Sequence, residues 1–270
     1  MKKNYAPEDE LLFLSLGGSG EIGMNVNLYG CQGRWLMVDL GMTFSGDQYP
    51  GVDLVFADLE FIEERSDQLE AIVLTHAHED HIGAVPYFAA DLGVPIYATP
   101  FTADLVRRKL DEAGLLDQVE VNVISDDHGS FAVGPFEITY LPLAHSIAEG
   151  NALLIDTPHG RIFHTGDWKL DSDPKVGPTT DEAALIRVGQ EGVLAMTCDS
   201  TNVFVHGWSG SEGDVRDKLT QLVGTFDNRI VVACFASNIA RLETIAHAGL
   251  AHDRNVALVG RSLWRFYDAA

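Results

Sequence analysis

The sequence predicts an α/β protein, and three observations carry that prediction. Apolar runs of strand length recur between residues 11 and 200. Stretches with apolar residues at helical spacing separate some of them. From about residue 212 the chain alternates helix, strand, helix and strand, the order of a parallel-sheet unit.

Taken in order, LLFLSL and MNVNLYGCQGRWLMVDLG alternate like paired strands with turns at Gly30 and Gly33. AIVL is the short apolar run of a buried strand. The spacing predicts a helix from Gly83 to Leu92, closed by Gly93, and a second over FTADLVRRKLDEAGLL, with a glycine near its end. FEITYLPL, NALLID and RIFHTGD return to strands, with Thr157-Pro158-His159-Gly160 as the hairpin turn between the last two. VLAMTCDS is a further strand. EGDVRDKLTQLVGTF and SNIARLETIAHAGLA read as helices, and RIVVACFA and NVALVG as strands. The change of pattern places a boundary near residue 212, dividing the chain into 1–212 and 213–270.

A chain of 270 residues with 46% hydrophobic and 21% charged residues has the composition of a globular protein with a full core. No apolar stretch approaches the roughly 18 residues needed to span a membrane, so no membrane association is expected. The opening MKKNYAPEDE lacks the apolar segment of a secretory signal, and a cytoplasmic protein is expected. Cys31, Cys198 and Cys234, widely spaced and mostly in apolar runs, read as buried reduced thiols. A net charge of −22 argues against nonspecific attraction to phosphate backbones.

Gly18-Ser19-Gly20-Glu21-Ile22-Gly23 fits G-x-G-x-x-G after an apolar strand. Dinucleotide binding needs a helix to begin there, so that its N-terminus meets the pyrophosphate. The following MNVNLYG alternates instead, and the segment reads as a tight glycine turn between strands.

LTHAHEDHIG is different in kind, with three histidines and two acids inside six residues directly after AIVL. Side chains two apart in an extended segment point the same way, so His76 and His78 can converge on one cation. Asp80 and His81 stand where the strand gives way to a helix and can turn toward a second. Imidazole with carboxylate suits zinc or a similar divalent ion. His145 and Asp167 lie where two later strands run out, the usual place for ligands.

The stretches THAHEDHIGA, PLAHS and HTGDWK resemble the metal motifs of the metallo-β-lactamase fold. Together with LGGSGEIGMN, VDLGMTF, CDSTN, FASNIARL and VGRS they make the chain similar, from about residue 12 to 262, to the ribonuclease J family of β-CASP nucleases. The resemblance implies an incomplete αββα sandwich followed by the first α/β unit of a β-CASP domain. It implies a zinc-dependent hydrolase that cleaves RNA phosphodiester bonds with a metal-activated water, from a 5′-monophosphate end or internally. His76, His78 and His145 would hold one ion and Asp80 and His81 the other, with Asp167 bridging and two zinc ions in all; manganese or magnesium are the alternatives. Asp80 and Asp167 would be catalytic. Asp39 would orient a ligand imidazole, and His164 would place Asp167. Phe44 would either stack on a base or pack in the core. Ser237 and Asn238, with Arg241, would help to hold the RNA. His128, His159, His206, His247 and His252 are given no ligand role.

The family pattern continues into a late H-x-S-G-H-like motif that these 270 residues do not contain. The second ion is therefore expected to be one protein ligand short, with weakened activity. An exposed sheet edge and apolar surface are expected to be covered by self-association, as a homo-oligomer. Two other readings stay open: a small-substrate metallo-hydrolase of lactonase or β-lactamase type, and an inactive metal-binding fragment.

Overall fold

The computed structural model describes residues 9–47, 49–124 and 129–270. The chain opens with strands β1 (Leu11–Gly17), β2 (Val26–Cys31) and β3 (Arg34–Val38), then a small hairpin of β4 (Met42–Phe44) and β5 (Leu54–Phe56). Helix α1 (Glu60–Glu63), β6 (Leu69–Val73), helices α2 (Glu79–Ile82) and α3 (Val85–Leu92), β7 (Ile96–Ala98), α4 (Pro100–Glu112) and β8 (Val121–Val123) follow. The second half holds β9 (Phe131–Val133), β10 (Phe136–Pro142), β11 (Asn151–Thr157), β12 (Gly160–His164), α5 (Glu182–Glu191) and β13 (Ala195–Thr197). It closes with α6 (Glu212–Val223), α7 (Ile239–Leu250) and α8 (Arg261–Ala269).

One sheet has the order β1-β2-β3-β6-β7-β8, antiparallel as far as β3 and parallel beyond it. The other has the order β13-β12-β11-β10-β9, antiparallel except for β12 with β13. Strand alternation divides the first sheet's side chains between two cores. Tyr29, Leu36, Val38 and Val73 face the second sheet and pack on Phe136, Ile138, Tyr140, Leu153 and Ile155. Leu28, Met37, Ile72 and Leu74 face the other way, onto Val85 and Leu92 of α3 and Leu105 and Leu110 of α4. A strand buried on both faces must be apolar throughout, which is why AIVL shows no alternation. The two sheets are also tied by polar bonds: the Tyr140 hydroxyl donates to the carbonyls of Leu74 (3.0 Å) and Tyr97 (3.1 Å).

Several expected elements form otherwise than predicted. Gly30 lies inside β2, where a side chain would collide with the Trp35 ring; the hairpin turns at Gln32 and Gly33, both with positive φ (49° and 76°). The GSGEIG segment is a left-handed turn with positive φ at Gly18, Gly20 and Gly23, and it feeds a strand, as expected. The helix predicted from Gly83 begins earlier, at Glu79, and breaks at Gly83 and Ala84 before α3. VLAMTCDS keeps only the three residues of β13 as strand, at an exposed sheet edge. Among the described residues RIVVACFA and NVALVG join no ladder, and Val231 and Val259 are 89% and 85% exposed. Helices α5 and α8 have no counterpart among the predicted elements. Of the cysteines, Cys31 is buried, but Cys198 is exposed and Cys234 half-buried, since the chain leaves the sheet after β13.

Replacing Tyr140 by Phe removes the hydroxyl that donates to the Leu74 and Tyr97 carbonyls across the sheets. Urea denaturation of Tyr140→Phe is expected to show a loss of about 1–2 kcal/mol with little change in slope.

Candidate metal centre

The side chains singled out by the sequence meet at one end of the two sheets. Strands β3 and β6 run parallel, so Asp39 and Thr75-His76 leave the first sheet side by side. Strands β10 and β12 are each antiparallel to β11 and so run the same way, delivering His145 and Asp167 to the same end. His78 is extended (φ −74°, ψ 153°), which keeps it on the same side as His76, two residues back. Helix α2 then turns Asp80 and His81 inward. It is held by backbone bonds from Asn25 N to Asp80 O (2.9 Å) and from Leu40 N to His81 O (2.8 Å). Gly41 is obligatory beneath it, because a Cβ there would lie 1.7 Å from Asp80 O.

Two donor groups result. In the first, His78 Nδ1 lies 3.0 Å from His76 Nε2 and 3.1 Å from His145 Nε2. Asp167 Oδ2 is 3.9 Å from His76 Nε2 and 3.7 Å from His145 Nε2. In the second, His81 Nε2 lies 3.6 Å from Asp80 Oδ2 and 3.3 Å from Asp167 Oδ1. Asp167 therefore turns one carboxylate oxygen toward each group. The edges of a tetrahedron around an ion bonded at about 2.1 Å measure about 3.4 Å, so the first group's spacings fit a divalent cation.

The electrostatics of the two groups differ. Burial, reinforced by the surrounding imidazoles, holds His76 well below the usual histidine range and pushes His78 down to about 3. Burial also lowers His145. These rings are neutral, with lone pairs converging, and the His78 ring donates a hydrogen bond to the backbone of Ser237. That leaves Nδ1 of His78 free to face the other two. Burial alone would lower His81 as well, but the carboxylates of Asp39 and Asp167 hold it well above the usual range. Burial would raise Asp167, and the neighbouring His81, His145 and His78 outweigh it, keeping its carboxyl well below the usual range.

Asp39 is fully buried and accepts bonds from Thr75 N (2.8 Å), Thr75 Oγ1 (2.9 Å to Oδ2) and His81 Nδ1 (2.7 Å). His164 belongs to neither group; it is buried and its Nδ1 meets the Tyr29 hydroxyl at 2.9 Å. Phe44 is 66% exposed, so it is not a core residue. The Asn238 side chain caps α7 by accepting from Arg241 N (2.9 Å). His159, His206, His247 and His252 lie outside both donor groups, and His128 lies outside the described residues. Sequence reasoning missed three contributors. Thr75 holds Asp39, and Asn25 Nδ2 donates to Asp80 O at 3.1 Å. Asp199 lines the same cleft as His145 and raises the affinity of that ring for a proton. Each stood inside a quoted motif, next to residues with more obvious chemistry.

A cleft of about 840 Å³ leads away from Asp167 and His145, past Trp168 and Trp208 to Asn238 and Arg241.

The beta-lactamase superfamily domain model matches residues 34–189, and the model of the ribonuclease J beta-CASP domain matches residues 227–270. "Ribonuclease J" of Sinorhizobium meliloti is 43% identical over 99% of this chain and 48% of its own length. That of Corynebacterium glutamicum is 42% identical over 98% of this chain and 37% of its own. That of Helicobacter pylori is 34% identical over 100% of this chain and 39% of its own. The chain thus spans half or less of the length of these curated relatives. The crystal structure of a protein of unknown function from Enterococcus faecalis shares the fold, with TM-score 0.63 at 18% identity. The match covers 90% of this chain and 67% of that one.

The opposite protonation of the two groups has a measurable consequence. A cation entering beside the neutral His76, His78 and His145 displaces no proton, so zinc uptake there should vary little between about pH 6 and 8. A cation beside Asp80 and His81 must displace the proton that Asp39 and Asp167 hold on His81. Uptake there should strengthen about tenfold per pH unit as pH rises toward that ring's raised pKa, with one proton released. Titration calorimetry in buffers of differing ionisation enthalpy reads both; proton release in the pH-independent step would contradict the assignment.

Proposed function

Because this chain belongs to the ribonuclease J family within the beta-lactamase superfamily, we propose that it is a metal-dependent hydrolase of RNA phosphodiester bonds, with zinc as the first candidate ion. The observation that carries the proposal is the Asp167 carboxylate, shared between two donor groups at the head of a long cleft. A divalent pair bound there supplies Lewis acidity, acidifying water and neutralising the charge that builds on a phosphoryl group under attack.

The protein's own residues do the rest. Asp39 accepts the Nδ1 proton of His81 and so turns Nε2 toward Asp80 and Asp167. Thr75 anchors Asp39 through both its N–H and its hydroxyl. Asp167 stays anionic and fixes the spacing between the groups. Asn25 holds α2 by the Asp80 carbonyl.

Substrate phosphate finds little free positive charge in the cleft. Lys169 is paired with Asp171 (2.9 Å) and Arg241 with Glu212 (3.0 Å). With a net charge of −22 besides, phosphate attraction falls to the divalent ions, and grip on the chain falls to base stacking. Trp208, 92% exposed, and Trp168 suit stacking on a single strand. Asn238 and the backbone of Ser237 border the site in a way that supports a part in holding substrate.

The same reading divides the chain near residue 212, a placement supported by the Ser211-capped start of α6 and by the gap between the two matched regions. Self-association is supported by Phe204, Phe235 and Val259, each at least 85% exposed.

The test is one preparation offered a 5′-phosphorylated RNA, an acyl-homoserine lactone and a chromogenic β-lactam. RNA cleavage is expected, abolished by chelator and lowered at least a hundredfold in Asp80→Ala and Asp167→Ala. Turnover confined to the ring substrates would replace the nuclease reading by a small-substrate hydrolase, and no turnover of any of the three would refute it.

A further inference from the structure

We infer that helix α4 is a strut that positions the two donor groups relative to each other, with Glu149 and Lys109 as the positioning residues at its two ends. The inference rests on the metal reading above and extends it to residues that touch neither donor group.

At its start, α4 lacks a local cap. Pro100 has no N–H, and the N-cap residue Thr99 makes no side-chain capping bond. The first free donor, Phe101 N, is satisfied from 48 residues away by Glu149 Oε2, at 2.8 Å. The Glu149 carboxylate thus sits at the positive end of the helix dipole. Glu149 belongs to the loop that carries His145. That loop is closed by Leu143 N to Gly150 O (2.8 Å) and by Asn151 Nδ2 to Glu149 O (2.6 Å). Glu149 itself adopts φ +56°, a left-handed conformation that is strained in a residue with a Cβ. The loop backbone lies directly on His145, since a Cβ on Gly150 would come 3.1 Å from His145 Cβ. Moving Glu149 therefore moves His145.

Toward the other end of α4, roughly 12 Å along the axis, Lys109 Nζ meets both carboxylate oxygens of Glu79 at 2.7 Å. Both partners are partly withdrawn from water, at 12% and 31% side-chain exposure. Glu79 precedes Asp80 and His81 in α2, so this pair holds the second donor group. The helix between the two anchors cannot slide, because Phe101, Leu105, Val106 and Leu110 are locked in the core with Leu74 and Ile82. One rigid element thus grips the loop of the first group and the helix of the second.

Zinc ion alone, titrated into the chelator-treated full chain by calorimetry, tests this, with the steps assigned by His78→Ala and Asp80→Ala. Glu149→Ala is expected to weaken the first-group step roughly tenfold and leave the other unchanged, and Lys109→Met to do the reverse. Glu149→Gln, whose amide oxygen still accepts from Phe101 N, should recover most of the loss. Glu79→Gln combined with Lys109→Met should be no worse than Lys109→Met alone. Arg34→Met, which breaks the distant Arg34–Glu70 pair, controls for general destabilisation. If Glu149→Ala does not fold, Glu149→Asp, too short to reach Phe101 N, replaces it. Both steps weakening together, or neither changing, would overturn the strut while leaving the metal reading intact. A wild-type chain that takes up fewer than two zinc ions would sink the two-site reading itself, and the strut with it.

Discussion

The structure turns on one buried carboxylate. Asp39 has no exposed surface, and an unpartnered charge there would cost several kcal/mol. It is made tolerable by bonds from Thr75 and His81, each charge-assisted and worth about 1.5–3 kcal/mol. To reach them the residue adopts φ +63°, a strained conformation for a side chain other than glycine. These bonds join the end of β3 to the end of β6 and to α2. The register that buries Leu36 beside Ala71 is also the register that brings Asp39 under Thr75. Fold and site are satisfied by the same alignment.

From that alignment the rest of the cluster follows by topology. Parallel neighbours release their chains at the same end, so side chains far apart in sequence collect there without long loops. The second sheet contributes His145 and Asp167 because β10 and β12 point the same way on either side of β11. Sheet packing through Tyr29, Phe136, Tyr140 and Leu153 sets how close the two contributions come. Small changes in that packing would separate donor atoms that must lie within about 4 Å of one another.

Charge is distributed with the same economy. Burial and the neighbouring imidazoles hold His76 well below the usual histidine range, whereas the carboxylates of Asp39 and Asp167 hold His81 well above it. Asp167 stabilises both arrangements, which accounts for its lowered proton affinity despite burial. The cleft beyond has few free cations, since Lys169 and Arg241 are spent on Asp171 and Glu212. The Arg241–Glu212 pair instead ties α7 to α6, and Asp171 ties the loop after β12 to α6 by accepting from Glu212 N at 3.0 Å.

Much of this was legible in the residues alone. HAHEDH after a doubly buried strand, with His145 and Asp167 at later strand ends, named side chains that the structure brings together; their division into two groups sharing Asp167 came from the family resemblance. Strand and helix types were legible wherever a segment's own periodicity reports the surfaces it buries. What the sequence could not decide were partners. RIVVACFA and NVALVG have strand composition, yet a strand needs a hydrogen-bonded ladder, and among the described residues neither segment forms one. That the Asn238 side chain caps α7 was not legible either, since the cap depends on where the helix begins. Glu149 and Lys109 carry no local signal at all, because their roles depend on Phe101 and Glu79, 48 and 30 residues away. The sequence by itself determined which chemistry the chain carries and which segments bury themselves. Only the tertiary structure decided which atoms meet, because hydrogen bonds and ion pairs are set by distance in space, and the local pattern of a chain does not encode that distance.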